Sequence, residues 1–193
     1  MEVDEQQVNL TRFGLFFPEK REFFLEGRGI FDFGRGSGFS RRGGALRPEG
    51  GDGTSSYGRG NAPTLFYSRR IGLQNGAIVP IVGGGRVTGK AGAFDVGALN
   101  MQTSDVGMSG PDATNFSVMR VKRDILRRSS IGGIFTNRSV SVVGDGSSQT
   151  YGADAALSFY ENLNLIGFLA RTQTPGIDAE DMSYQGKLSY RGD

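Results

Sequence analysis

The chain contains neither cysteine nor histidine. Without cysteine there is no disulfide framework, no thiol nucleophile and no zinc–thiolate site. Without histidine the chain lacks the commonest general base and the commonest metal-ligating side chain. These absences exclude thiol-based and histidine-based chemistry, and we expect no catalytic residue, no cofactor and no metal site.

Long apolar runs are also missing. The mean hydropathy is −0.31, and the chain has no run of the roughly 18 apolar residues that a membrane-spanning helix needs. A membrane barrel remains compatible with this composition, because only alternate residues of each strand meet lipid. The formal net charge is only +2, so we expect no nucleic-acid partner.

Glycine and phenylalanine are plentiful, with 32 and 14 copies in 193 residues. This composition suits a β protein with tight turns and aromatic anchors. Three zones follow from the local composition. Residues 1–33 are aromatic and charged, and we interpret them as a plug or the entry to a barrel. Residues 34–62 are rich in Gly, Arg and Ser and predict a flexible loop. Residues 63–193 carry the predicted barrel strands.

Eight segments with period-two patterning predict eight strands. They cover residues 65–71, 78–90, 93–103, 114–124, 129–138, 149–159, 163–172 and 182–191. Short connections near 90–92, 125–128 and 160–162 alternate with long ones near 104–113, 139–148 and 174–181. Every second connection of an up-and-down meander lies at the same end. Tight turns at one end and long loops at the other are typical of outer-membrane β-barrels.

The last strands have one apolar and one polar face. In the sixth, Tyr151 and alternate residues to Phe159 oppose a face that contains Asp154. In the eighth, the residues from Met182 to Tyr190 alternate in the same way. The apolar face packs on a second sheet in a soluble sandwich and meets lipid in a membrane barrel. The loop alternation and the aromatic residues near strand ends favour the membrane. Ile166 and Phe168 depart from the pattern, since they fall on the polar face.

Several segments carry a family resemblance. They are residues 8–27 (VNLTRFGLFFPEKREFFLEG), 65–72 (LFYSRRIG), 80–90 (PIVGGGRVTGK), 99–103 (LNMQT), 115–118 (NFSV) and 129–138 (SSIGGIFTNR). In this order they resemble a bacterial family called domain of unknown function 5916. Members typically join a module similar to family-9 carbohydrate-binding domains to a large outer-membrane-like barrel. The resemblance implies a surface protein linked to carbohydrate and supplies no catalytic residue.

The N-terminal motif predicts a short helix. Pro18 fits its first turn and Gly27 fits a stop beyond its end. The functional interpretation is a plug inside a barrel, whose charged residues face water or cargo. Those candidate residues are Glu19, Lys20, Arg21, Glu22 and Glu26. The alternative is a structural anchor, or an ordinary strand-turn-strand, with solvated charges.

Other candidate residues lie in the strands. A charge on the lipid face at the bilayer midplane costs about 2–4 kcal/mol, so Arg86 and Arg120 should face inward. Together with Arg69 they are candidates for an electropositive lumen that selects anionic cargo, the alternative being pairing with Asp and Glu across the lumen. A glycosidase would instead pair Glu22 with Glu26, or Glu26 with Asp32, as acid and base.

The sequence therefore predicts an all-β protein, an antiparallel up-and-down segment of an outer-membrane β-barrel with a plug-like N-terminal stretch. Residues 1–10 lack the features of a signal peptide, and the chain stops at a strand end. We expect an internal piece of a longer polypeptide that contributes about eight strands to a larger barrel. Expected partners are outer-membrane lipid, the remainder of the same polypeptide, and carbohydrate or another secreted cargo. Expected roles are transport, docking or secretion. The alternatives are a glycan-active hydrolase and a soluble β-sandwich or adhesin.

Overall fold

The computed structural model describes residues 19–26, 28–34, 39–42, 45–48, 63–74, 77–107, 111–141, 145–160, 162–176 and 181–190. Within these ranges the chain forms one large sheet and two small hairpins. The hairpins pair β1 (Phe39–Arg42) with β2 (Ala45–Pro48), and β3 (Leu73–Gln74) with β4 (Ala77–Ile78). The large sheet contains β5 (Ile81–Ala91), β6 (Phe94–Thr103), β7 (Asn115–Leu126), β8 (Ser129–Arg138), β9 (Ser148–Phe159), β10 (Leu163–Gln173) and β11 (Met182–Tyr190). The described helices have only three or four residues each: α1 (Glu22–Leu25) and two 3-10 helices at Arg28–Phe31 and Ser68–Arg70.

The seven-stranded sheet is an up-and-down antiparallel meander, as the sequence predicts. Each strand pairs with its neighbours in the chain, from β5 at one edge to β11 at the other. The turns β5–β6, β7–β8 and β9–β10 have two or three residues each, whereas the connections 104–114, 139–147 and 174–181 are long. The alternation of short and long connections is confirmed. The described sheet is not closed, because β5 and β11 do not pair with each other.

The predicted first strand, residues 65–71, is wrong. Part of this segment is the 3-10 helix Ser68–Arg70, and the rest is irregular. The guanidinium of Arg21 donates to the carbonyl oxygens of Ser68 and Ile71, both at 2.8 Å. A side chain thus satisfies carbonyl groups that a sheet ladder would otherwise satisfy.

The predicted second strand is divided. Pro80 has no N–H to contribute to a ladder, and it lies between β4 and β5. The pairing of β5 with β6 then shifts register between Ile81 and Gly83, at the start of the glycine run. The predicted N-terminal helix is also shorter than expected. It begins at Glu22 and ends at Leu25, since Arg21 and Glu26 both have extended backbone; Pro18 lies outside the described residues.

The two faces of the sheet differ in what covers them. We call one the covered face, because residues 19–26, 28–34 and 63–74, here named the cover segment, pack on it. The buried sheet residues on this face include Leu99, Met101, Val118, Arg120, Ile134, Phe168 and Ala170. We call the opposite face the bare face. The predicted faces of β9 and β11 are confirmed, with their apolar residues on the bare side.

The predicted flexible loop at 34–62 is described only at Gly34 and in the hairpin of β1 and β2. The remainder of that segment lies outside the described residues, and its flexibility stays a prediction.

Candidate functional site

The cover segment fits into gaps that glycines leave on the covered face. A Cβ atom at Gly97 would lie 2.9 Å from Cγ2 of Ile30, and one at Gly152 would lie 2.7 Å from the ring of Phe33. The Phe33 ring also meets the Phe168 ring edge to face, with centroids 5.7 Å apart. This contact explains why Phe168 interrupts the polar pattern of its face: it packs beneath the cover segment.

A buried ion pair joins two strands under the cover segment. Arg120 of β7 is 2% exposed, and its guanidinium donates two hydrogen bonds to Asp154 of β9, at 2.6 and 2.8 Å. The backbone N–H of Gly34 donates to the same carboxylate at 3.2 Å. The Arg120 guanidinium also lies 5.8 Å from the Phe33 ring centroid. The ion pair therefore holds the cover segment as well as the strands.

Gly132 makes this pair possible. It lies on β8, between the two strands that carry the charges, directly opposite Asp154 in the pairing of β8 with β9. A Cβ atom at Gly132 would lie 2.8 Å from Nη1 of Arg120. Because the guanidinium crosses the backbone of β8 at this point, a side chain there would push it away from Asp154.

A second polar cluster ties the two parts of the cover segment together. The buried carboxylate of Glu19 accepts hydrogen bonds from the Arg21 guanidinium at 2.7 and 2.8 Å and from the Ser68 hydroxyl at 2.7 Å. Burial alone would raise the pKa of Glu19, but the hydrogen bonds from Arg21 and Ser68 outweigh it and lower that pKa below 4.5. The carboxylate is therefore held in its charged form.

Arg86 closes the end of helix α1. Its guanidinium donates to the backbone carbonyl oxygens of Phe23 and Glu26 and to the Glu26 carboxylate, the last at 2.7 Å. A cation at the C-terminal end of a helix satisfies carbonyl groups that have no partner within the helix. The Arg86 side chain is 9% exposed, and that of Glu26 is 85% exposed.

The remaining predicted residues are dispersed. Lys20 and Glu22 are exposed. Arg69 is half-buried and interacts with another group of the protein. The structure thus brings Glu19 to Arg21 and Arg86 to Glu26, and it places Arg120 apart from both pairs. The proposed acid–base pair of Glu22 and Glu26 is solvent-exposed, with Glu26 in an ion pair with Arg86.

Sequence reasoning missed Asp154, Ser68 and Gly132 as parts of these clusters. Asp154 carries a detectable signal, since it is the only charged residue in β9 and stands between alanines. Ser68 and Gly132 have no detectable signal in the sequence, because their roles arise only when distant segments come into contact.

The bare face is apolar and exposed over most of its width. Its large side chains with more than a third of their surface exposed are Val87, Phe94, Met119, Val121, Ile131, Tyr151, Phe159, Leu165, Leu169, Met182, Tyr184, Leu188 and Tyr190. At the long-loop end the apolar band stops at a polar network. The amide of Asn100 donates to Asn115 at 2.9 Å and to Ser117 at 2.7 Å, and the amide of Asn115 donates to Gln102 at 3.2 Å.

The two ends of the sheet differ in charge. The three long connections, 104–114, 139–147 and 174–181, contain six acidic residues and no basic residue. At the opposite end Arg127 and Arg128 form the turn between β7 and β8, and both are exposed. Lys90, Lys122 and Arg123 lie in the strands next to the short turns.

Among the described residues, no helix is long and apolar enough to cross a membrane. That part of the chain also contains no group of three or more acidic side chains arranged to hold a metal ion. Comparisons with family models, with curated proteins and with solved structures found no match for this chain.

Proposed function

We propose that this chain is part of the wall of a bacterial outer-membrane β-barrel, with the cover segment packed on the lumenal side. The observation that carries the proposal is the location of the cover segment. It packs on the face that holds the Arg120–Asp154 pair and buried apolar residues such as Leu99, and it leaves the apolar bare face exposed. A soluble sandwich would need a further layer that buries the apolar bare face as well.

The dimensions of the bare face support a lipid contact. In β9 the apolar positions run from Tyr151 to Phe159, which is roughly 26 Å at about 3.3 Å per residue. A tilt of about 40° reduces this to roughly 20 Å, close to the apolar band of about 25 Å on outer-membrane barrels. Exposed apolar patches on soluble monomers rarely exceed about 600 Å², and this face spans seven strands.

Tyr160 supports the same placement. It lies in the turn between β9 and β10, is 91% exposed, and has a φ of 56°. A left-handed backbone is unfavourable for a bulky residue, and asparagine or glycine would suit such a turn better. An aromatic residue at this position is instead suited to the headgroup level of a bilayer, where tyrosine rings are enriched. Phe159 and Tyr190 end their strands at the same level.

The proposed role is transport, docking or secretion of a molecule across or at that membrane, in a carbohydrate-related system. We infer transport, docking or secretion because the proposed wall has charged groups on its lumenal side. They include Arg86 and the candidate plug residues Glu19, Lys20, Arg21, Glu22 and Glu26. The carbohydrate link rests on the resemblance to the domain of unknown function 5916 family alone. Glycan-array binding by the vesicle-inserted chain tests it, and an array without signal would remove only this link.

Two neighbouring residues of β11 allow a direct test of membrane insertion. Tyr184 is on the bare face and 78% exposed, whereas Gln185 is on the covered face. We expect Tyr184→Arg to abolish co-flotation with phosphatidylcholine vesicles after refolding, since an arginine on the lipid face near midplane costs about 2–4 kcal/mol. Gln185→Arg should float like the original chain.

A soluble β-sandwich or adhesin gives the opposite result. Replacing an exposed tyrosine would then leave the chain folded and soluble, because surface substitutions usually change stability by less than about 0.5 kcal/mol. A chain that stays in aqueous solution without detergent, with both variants behaving alike, would overturn the membrane proposal.

A further inference from the structure

A groove of about 640 Å³ crosses the bare face over strands β6 to β10. Its floor consists of small residues: Gly133, Ala153, Ala155 and Gly167. Larger apolar side chains, Phe94, Val121, Ile131 and Leu169, line its sides. The volume is within the roughly 300–1,000 Å³ of small-molecule sites, and the lining is mostly apolar. Its charged residues are Arg123 and Asp154, and the carboxylate of Asp154 is paired with Arg120 on the covered face. The shape and chemistry of the groove suit a flexible hydrocarbon chain.

One cation lies at the edge of this groove. Arg123 lines it at the end nearest the short turns, and its guanidinium is 5.0 Å from the centroid of the Phe94 ring. In the described part of the chain Arg123 has no ion pair with a carboxylate. The exposed residues Arg127 and Arg128 form the adjoining turn. The groove therefore has an apolar body and a positively charged end.

We propose that this groove binds one acyl chain of an anionic phospholipid and that Arg123 binds its phosphate group. The inference rests on the proposed membrane location. Outer-membrane barrels have their short turns on the periplasmic side, so the lipid would come from the inner leaflet. A basic side chain at the membrane surface attracts an anionic headgroup by about 1 kcal/mol.

Other occupants match the surface less well. The bare-face positions of β5 to β11 include two cations, Arg123 and Arg171, and no carboxylate. A second copy of this chain packed through the same face would place Arg123 against no acidic partner. Free phosphate would engage Arg123 but would leave the apolar groove empty. A phospholipid satisfies both parts.

The test uses the 193-residue chain in nanodiscs that contain equal amounts of phosphatidylglycerol and phosphatidylcholine. Native mass spectrometry of the released protein counts the retained lipids of each kind. We expect Arg123→Gln to lower the preference for phosphatidylglycerol about fivefold, and Ala155→Leu, which fills the groove, to reduce retained lipid of both kinds. The matched controls are Lys187→Gln, an exposed cation on the other face, and Ala98→Leu, on the bare face outside the groove. Both should retain lipid like the original chain.

The outcomes separate this inference from the proposal on which it rests. If the original chain inserts and the groove variants retain lipid as it does, the lipid site is wrong and the membrane wall stands. If inorganic phosphate displaces the retained lipid, the site is a simple anion site and the inference also fails. A chain that does not enter the nanodisc at all overturns both.

Discussion

The pair of Arg120 and Asp154 shows how a charge can be buried in a sheet. Each charge has a bidentate partner, a backbone N–H contributes a further hydrogen bond, and a glycine leaves room for the guanidinium. Such a pair stabilises little compared with an apolar replacement, but breaking it leaves one uncompensated charge.

That asymmetry gives a quantitative prediction. Arg120→Leu alone should lower the free energy of unfolding by about 3–5 kcal/mol, because Asp154 is left buried and unpaired. Adding Asp154→Leu should recover most of the loss, since the second leucine would pack beside Phe33 and Phe168. Urea titration in detergent micelles measures both values, with Lys187→Leu as the control. If the double variant were as unstable as the single one, the pair would have a role beyond compensating its own charges.

Glu19 gives a pH dependence. It lies outside strands β5 to β11, and hydrogen bonds from Arg21 and Ser68 lower its pKa on folding. The folded chain thus binds this proton more weakly than the unfolded chain. The stabilisation is fully present above pH 4.5 and is lost as the pH falls below that value.

We therefore expect Glu19→Gln to lower the unfolding midpoint at pH 7. The difference in midpoint between the variant and the original chain should be smaller at pH 3.5. Unfolding midpoints in urea at the two pH values measure the effect. Glu22→Gln, at an exposed position, is the matched control and should change neither midpoint. An equal loss from Glu19→Gln at both pH values would show that the charge of the carboxylate is unimportant.

Sequence reasoning reached part of this residue-level picture. The two-residue period of a strand places Arg86 and Arg120 on the face opposite the apolar one, and the structure has them there. Their partners could not be predicted. Asp154 is 34 residues from Arg120, and only the register of three strands brings the two side chains together.

At the scale of elements, six of the eight predicted strands match β6 to β11 within two residues at each end, because period-two patterning marks each of them. Of the other two, the second contains most of β5, and the first is absent from the sheet. Arg21 binds the carbonyl groups of residues 68 and 71, and Pro80 interrupts the second segment. The first interaction spans about 50 residues, so no local pattern reveals it.

Substitutions at two glycines whose Cβ positions lie on opposite faces of the sheet can test how the cover segment packs. Gly152→Leu should displace Phe33 and Leu65, because a Cβ atom there already lies within 2.8 Å of both side chains. We expect the cover segment to become sensitive to limited proteolysis at its phenylalanines. Gly133→Leu is the control, since the only atom near its Cβ position is a backbone oxygen at 3.7 Å. Equal resistance to proteolysis in the two variants would contradict tight packing of the cover segment at Gly152.

For the molecule as a whole, the charge difference between the two ends predicts a sidedness. The long connections are acidic, and the turn between β7 and β8 is Arg127–Arg128. In sealed vesicles we expect an added protease specific for aspartate to cut the long connections, while trypsin leaves the Arg127–Arg128 turn intact until detergent opens the vesicles. Cleavage of both ends before detergent would mean that the chain lies on the membrane or inserts in both directions.

The hydrogen bond from Gly34 to Asp154 joins residues 120 positions apart, and it has a consequence for the order of folding. Its acceptor is in place only after β7, β8 and β9 have paired and Arg120 has crossed Gly132. Gly97 and Gly152, against which Ile30 and Phe33 pack, likewise belong to strands that are synthesised after residues 30 and 33. A contact across so much chain is slow to form. The cover segment is synthesised before these strands, but it must wait for them to pair before it acquires its packed structure.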